Sequence, residues 1–320
     1  KFLDRVTSIK DCEPWVLKAG GIIEAEYDIP ADGWYFTEDN QPYMPFGVLL
    51  EVALQPCGWL AAYLGSALTS ETEISFRNLG GKATQFIKVS PEMGTLTTKV
   101  KITNVSQSGG MIIQNFDYEM HADAGIVYKG NTYFGFFSHE ALAEQVGIRD
   151  VVPYKASQEE QARGKSFSYP PEAPMPADMM RMVDEITLYD SHGGSNDLGF
   201  IEGTANVKEE AWFFKAHFYE DPVWPGSLGL ESFMQLLKVF AWERWQDELE
   251  IGQFVFESMA LNQQHEWVYR GQILPVDDKV TVQAVITDID DRSRTLKADG
   301  FLTVDGRIIY QMKDFALRIT

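Results

Sequence analysis

WFFKAHFYEDPVWPGSLGLESFMQ, residues 212–235, sets one histidine, His217, among aromatic residues and follows it with a turn bracketed by Pro222 and Pro225. Pro225-Gly226-Ser227 then opens an amphipathic helix that carries a single acid, Glu231. The first amides of a helix have no partner within it, so they can hold an anion or a polarised carbonyl oxygen. Gly226 lets a ligand approach the backbone with no side chain in the way. A potential general base a few residues ahead of such donors suits chemistry on a carbonyl next to an acidic C–H.

The same scheme occurs earlier in the chain. Aligning Gly21 with Gly199, an offset of 178, brings Trp34 onto Trp212 and Phe36 onto Phe214. Apolar and polar residues alternate in Phe2–Val6 and Gly21–Ile29 and run on to Trp34-Tyr35-Phe36, which predicts strands, with Pro30–Gly33 as a turn. In residues 44–65, Leu49, Leu50, Ala53, Leu54, Cys57, Leu60 and Ala61 recur at helical spacing, and Pro56 predicts a kink. Pro45, Glu51 and Gln55 align with Pro225, Glu231 and Gln235 at an offset of 180. The first copy is therefore two residues shorter between Phe36 and Pro45, where it has Thr37, Glu38, Asp39 and Asn40 and no histidine. The chain is an internal duplication.

Strands are predicted for Gln85–Val89, Thr95–Val105, Met111–Met120 and Ile126–Phe137, with turns at Pro91–Gly94, Ser108–Gly110 and Ala122–Gly125. The second copy repeats a helix, Ser227 to about Asp247, and a meander, Phe254–Thr320. The expected division is a first copy at 1–138, a linker at 139–173 containing a short helical piece at Glu140–Val146 and an extended Pro-rich end, and a second copy at 174–320. Each copy alone leaves a sheet edge uncovered, whereas two copies can continue one sheet across a pseudo-twofold axis.

His217-Phe218, Asp221-Pro222-Val223, Pro225-Gly226, Leu228-Gly229-Leu230 and Gln235 resemble the 3-hydroxydecanoyl-acyl carrier protein dehydratase/isomerase family. So do Met182–Ile186, Arg270–Pro275, Ala298–Gly300 and Val304–Tyr310, which extends the resemblance over nearly all of 174–320. The resemblance implies an α+β double hot dog: two tandem hot dog folds, each a long helix wrapped by an antiparallel sheet, forming a pseudo-dimer. The tandem order is similar to the dehydratase regions of polyunsaturated fatty acid synthases, and a chain beginning at Lys1 reads as a piece of a longer polypeptide. In the family, the histidine of one copy is completed by the helix acid of the other. This pairs His217 with Glu51 and leaves Glu231 opposite a copy without histidine, so one working site per chain is expected. Both copies carry Glu where the family carries Asp; Glu is found in related dehydratases that do not isomerise, which leaves isomerisation open.

The implied activity is dehydration of 3-hydroxyacyl-acyl carrier protein thioesters in polyunsaturated fatty acid synthesis. His217 would be the base, Glu51 the acid and Gly226 an amide donor, with Phe218, Pro225, Ser227 and Phe233 contacting substrate. Phe233, Met234 and Leu237 fit an acyl tunnel or the core equally well, and Trp224 is placed near the tunnel mouth or copy interface. No metal or organic cofactor is implied. The partners implied are an acyl carrier protein domain, reached through a basic spot near Arg163 or Arg270 or by tethering, and the other domains of the same synthase. A homodimer of double hot dogs is compatible with this reading. A hot dog acyl thioesterase and a non-catalytic acyl-binding scaffold are the alternatives. His121, His139, His192 and His265 have no comparable context and are assigned to surface or loops. The formal charge of −20 argues against nucleic acid. No run reads as a membrane span or targeting segment, so a cytoplasmic location is expected. Cys12 and Cys57 allow at most one disulfide, and there is no zinc pattern.

Overall fold

Two long helices, each laid along a curved antiparallel sheet, organise the molecule. The computed structural model describes every residue except Thr72, Gly109, Tyr219, Glu250 and Ile251. The centre of the expected Ser108–Gly110 turn, and Tyr219 between His217 and Pro225, thus lie outside the described residues. In the first half come β1 (Arg5–Lys10), β2 (Ile22–Asp28), α1 (Trp34–Asp39), α2 (Phe46–Tyr63), β3 (Ile74–Gln85), β4 (Thr95–Ser108), β5 (Met111–Ala122) and β6 (Gly125–Ser138). α3 (His139–Ala143), α4 (Gln158–Arg163) and β7 (Lys165–Ser168) follow. Then β8 (Glu185–Asp190), β9 (Phe200–Asn206), α5 (Trp212–Ala216), α6 (Gly226–Trp245), β10 (Gln264–Tyr269), β11 (Lys279–Asp290), β12 (Thr295–Val304) and β13 (Arg307–Arg318) repeat the order of the first half.

The thirteen strands form one sheet in the order β1-β2-β4-β5-β6-β3-β10-β13-β12-β11-β9-β8-β7. β3 and β10 join the halves antiparallel, with Gly81 opposite Trp267 and Ala83 opposite His265. Glycine is needed at 81 because a Cβ there would stand 2.7 Å from the Trp267 ring and 2.5 Å from the Asn131 carbonyl oxygen. Joining the strands satisfies backbone groups that either half alone would leave open at an edge. The fold is a double hot dog. Its pseudo-twofold relation shows where equivalent residues meet: Trp34 and Trp212 pack edge to face with ring centroids 5.3 Å apart.

α6 is buried nearly all round, with Leu230, Phe233, Met234, Leu236, Leu237, Val239 and Phe240 fully enclosed, as expected for a helix wrapped on all sides. α2 runs through Pro56 as one helix. Extended to Leu68 it is long and apolar enough to cross a membrane by length and composition, contrary to the expectation that no run would qualify, but 67% of its most apolar window is buried in this fold.

Several elements differ from the sequence reading. Trp34-Tyr35-Phe36 and Trp212-Phe213-Phe214 are helical. The strand preference of aromatic residues yields to context, and in the helical form Tyr35, Phe213 and Phe214 are buried. The strand expected at Gln85–Val89 lies earlier, at β3, which ends at Gln85. The polar segment after α3 contains α4, whose start is set by a capping box between Ser157 and Glu160 and not by apolar periodicity. β7 then extends the sheet beside β8. His265, read as a surface residue, is 1% exposed, with Nε2 2.9 Å from the Tyr128 hydroxyl. Cys12 and Cys57 are both free.

Candidate active site

α5 ends at Ala216, and His217 follows as its cap. His217 Nδ1 lies 2.9 Å from the Val223 carbonyl oxygen. In the neutral ring Nδ1–H donates to that oxygen, leaving Nε2 with a free lone pair. Burial lowers the His217 pKa below its ordinary 6.5, a shift opposed in part by the charge of Glu51. The imidazole is therefore held neutral and oriented at ordinary pH.

The loop after His217 is fastened by the other half of the molecule. Arg77 on β3 donates to both Asp221 oxygens at 2.7 Å and to Gln272 Oε1 at 2.8 Å. Such a forked pair fixes direction as well as distance. Burial alone would raise the Asp221 pKa, but these bonds hold it below the usual carboxylate value. Phe218 has φ 60, a left-handed backbone uncommon for a bulky residue. Its ring lies 4.2 Å from the His217 ring and 5.7 Å from the Arg77 guanidinium.

Glu51 reaches this loop from α2. Its Oε1 accepts from Ser227 Oγ at 2.7 Å and its Oε2 from Gln55 Nε2 at 3.1 Å. Glu51, His217, Phe218, Gly226 and Ser227 line one cavity of about 480 Å³. Leu50, Leu54, Gly58 and Ala62 form one of its walls and Phe76, Phe134 and Phe136 face it from β3 and β6. A second cavity of about 170 Å³ shares Glu51, His217 and Ser227 and reaches Pro225. Among the described residues, no acceptor takes the amides of Gly226 or Ser227, whereas those of Leu228 and Gly229 bond to Pro225. Gly226 cannot carry a side chain, since a Cβ would lie 2.9 Å from the Tyr269 ring.

The corresponding place in the other half is occupied. The offset that aligns Trp34 with Trp212 places Asp39 at the position of His217, and the offset of 180 places Lys238 at the position of Gly58. Lys238 Nζ lies 2.7 Å from Asp39 and 3.7 Å from Glu231, with all three side chains at most 3% exposed. Glu231 also accepts the Gly47 amide at 2.8 Å, the equivalent of the Ser227 amide left free in the open site. Burial raises the Asp39 pKa to about 7, and although burial alone would lower Lys238, the two carboxylates hold it above its ordinary value. A buried ion cluster therefore stands where the other half has His217 and Gly58.

Of the residues singled out in the sequence, His217, Glu51, Gly226, Phe218, Pro225 and Ser227 converge here. Phe233 does not. It packs in the core against Phe315, with Gly300 leaving room for its ring, and Met234 and Leu237 are likewise core. The apolar wall of the cavity comes instead from α2. Arg163 is ion-paired with Asp190, whereas Arg270 donates to the Leu79 and Tyr269 carbonyls and to the Tyr133 hydroxyl, neutral acceptors that do not cancel its charge. Trp224 is buried against Phe213 and lines the cavity. Arg77 and Tyr269 were missed, since nothing local in their strands points to a site assembled from distant parts of the chain. No cluster of His, Cys, Asp or Glu arranged to hold a metal occurs among the described residues.

The chain is 33% identical over 339 aligned positions to one subunit of the polyunsaturated fatty acid synthase from Thraustochytrium sp., an alignment covering 97% of this chain and 22% of that protein. The chain thus spans about a fifth of that relative. Its fold is similar to that of a crystal structure of the CurJ dehydratase, with a TM-score of 0.50 at 13% identity over 100% of this chain and 97% of the other. The FabA-like domain model matches residues 1–131 and again 175–313. With that match falling on both halves, the chain belongs to the FabA-like domain family.

Proposed function

We propose that this chain is a dehydratase that converts 3-hydroxyacyl thioesters, carried on the phosphopantetheine arm of an acyl carrier protein, to trans-2-enoyl thioesters within a polyunsaturated fatty acid synthase. The observation that carries the reading is an oriented neutral histidine from one half sharing an apolar cavity with the helix acid of the other. His217 Nε2 takes the C2 proton, and the Gly226 and Ser227 amides hold the thioester oxygen as it gains charge. The C2–C3 double bond forms as the C3–O bond breaks, and the hydroxyl leaves as water with a proton from Glu51, which enters the step as the neutral carboxylic acid and leaves it as the carboxylate. Proton exchange with solvent then resets both groups. Base, acid and amide donors suffice for this elimination. The acyl chain lies along α2, and the carrier protein and neighbouring domains of the same synthase deliver and accept it.

The test is turnover of 3-hydroxyacyl thioesters by wild type, His217→Ala, Glu51→Gln and Glu231→Gln, followed by mass spectrometry. The first two substitutions are expected to lower kcat at least about 10²-fold, and Glu231→Gln to leave it within a factor of two. Because His217 must be neutral, kcat/KM should fall as pH drops through its lowered pKa, placing the acid limb below 6.5. Full activity in Glu51→Gln with loss in Glu231→Gln would overturn the assignment. Release of free thiol without enoyl product would identify a thioesterase, acyl binding without turnover a scaffold, and a shifted double bond an added isomerase activity.

A further inference from the structure

Tyr269, the last residue of β10, is 5% exposed, and its hydroxyl has no hydrogen-bond partner among the described residues. A buried hydroxyl without a partner is destabilising, and few are kept in a folded chain. Tyr269 lines the same cavity as Glu51, His217, Gly226 and Ser227. It also lies against the start of α6, 3.1 Å from where a Gly226 Cβ would be. The ring is fixed by packing on Tyr310 at 4.4 Å between centroids. Burial first, then the neighbouring Tyr310 and Glu51, hold the phenol well above its ordinary pKa, so the group remains an O–H donor.

We propose that Tyr269 Oη donates a hydrogen bond to the substrate thioester oxygen beside the Gly226 and Ser227 amides, completing the set of donors that stabilises the charge formed on removal of the C2 proton. This rests on the dehydratase reading only for its effect on rate; the hydrogen bond itself is a binding property of the site. Tyr269→Phe removes one oxygen atom and keeps the ring that packs on Gly226 and Tyr310.

The probe is the pantetheine thioester of a saturated fatty acid, isotopically labelled at the carbonyl, bound to the whole chain and observed by difference infrared spectroscopy. The expected result is a carbonyl stretch lowered in wild type that moves back to higher frequency in Tyr269→Phe, while Tm is unchanged or raised. With reactive substrate, kcat should fall about 10²-fold with KM nearly constant, as when one donor of an oxyanion hole is deleted. An unshifted carbonyl band, or a lowered Tm with an unshifted band, overturns the proposal. A band that shifts in a protein without turnover leaves this hydrogen bond standing while the dehydratase reading falls.

Discussion

His265 sits where the two halves join, its ring stacked near Tyr128 and Trp267 and set edge-on to Phe46 and Phe315. Burial among these rings lowers its pKa to about 3. The unfolded chain binds a proton near pH 6.5 and the folded chain does not until far lower. The stabilising contribution is therefore present above 6.5 and lost as pH falls towards 3. The slope should reach about 1.4 kcal/mol per pH unit in that window. His265→Phe keeps the aromatic packing and removes the titration. Urea unfolding at several pH values between 6.5 and 4.5 should show a shallower decline in the variant by about that slope, and equal slopes would exclude His265 as the source.

At the scale of elements, the two long helices differ in one stripe of residues. Leu50, Leu54, Gly58 and Ala62 lie four apart on α2 and line the main cavity. A Cβ on Gly58 would come within 3.3 Å of the Phe76 ring, so glycine there keeps the channel open. Its counterpart Lys238 on α6 shows the effect of a long side chain at that position. Gly58→Leu is expected to obstruct the far part of the channel. Overpacking of about 1–3 kcal/mol should lower kcat/KM for long 3-hydroxyacyl thioesters by about five- to 150-fold. Turnover of the shortest substrates should stay close to wild type. A uniform loss at all chain lengths would show that the acyl chain does not run past Gly58.

At the scale of the whole molecule, the closed pseudo-site is a buried ion cluster linking Asp39 of the first half to Lys238 and Glu231 of the second. Removing one member leaves uncompensated charge, whereas replacing the whole set with neutral groups need not be harmful. Lys238→Met should therefore lower unfolding stability by about 3–5 kcal/mol. Adding Asp39→Asn and Glu231→Gln to it should recover most of that loss. Denaturant titration of the single and triple variants checks this, and a single variant as stable as wild type would show that the cluster does not hold the halves together.

The duplication, the two long helices, the meanders β4–β6 and β11–β13 and the His217 to Ser227 segment were legible in the sequence, because periodicity, turn residues and repeated offsets are local signals. That His217 and Glu51 would lie together was also anticipated, though from a family resemblance and not from spacing, and both line one cavity. What could not be read was everything that depends on which side chains share one space. Trp34-Tyr35-Phe36 turned helical to bury Tyr35, and His265 went inside because its strand became the centre of the sheet. The apolar wall of the cavity formed on α2 and not at Phe233, Arg77 reached across from the first half to fasten the loop after His217, and Lys238 took up the equivalent place in the other half. The sequence by itself determined the fold class, the duplication and which half keeps the histidine, since these rest on residue type and order along the chain. Only the tertiary structure decided which residues line the cavity and which close its twin, because contacts between segments far apart in the chain exist only once the two halves have packed.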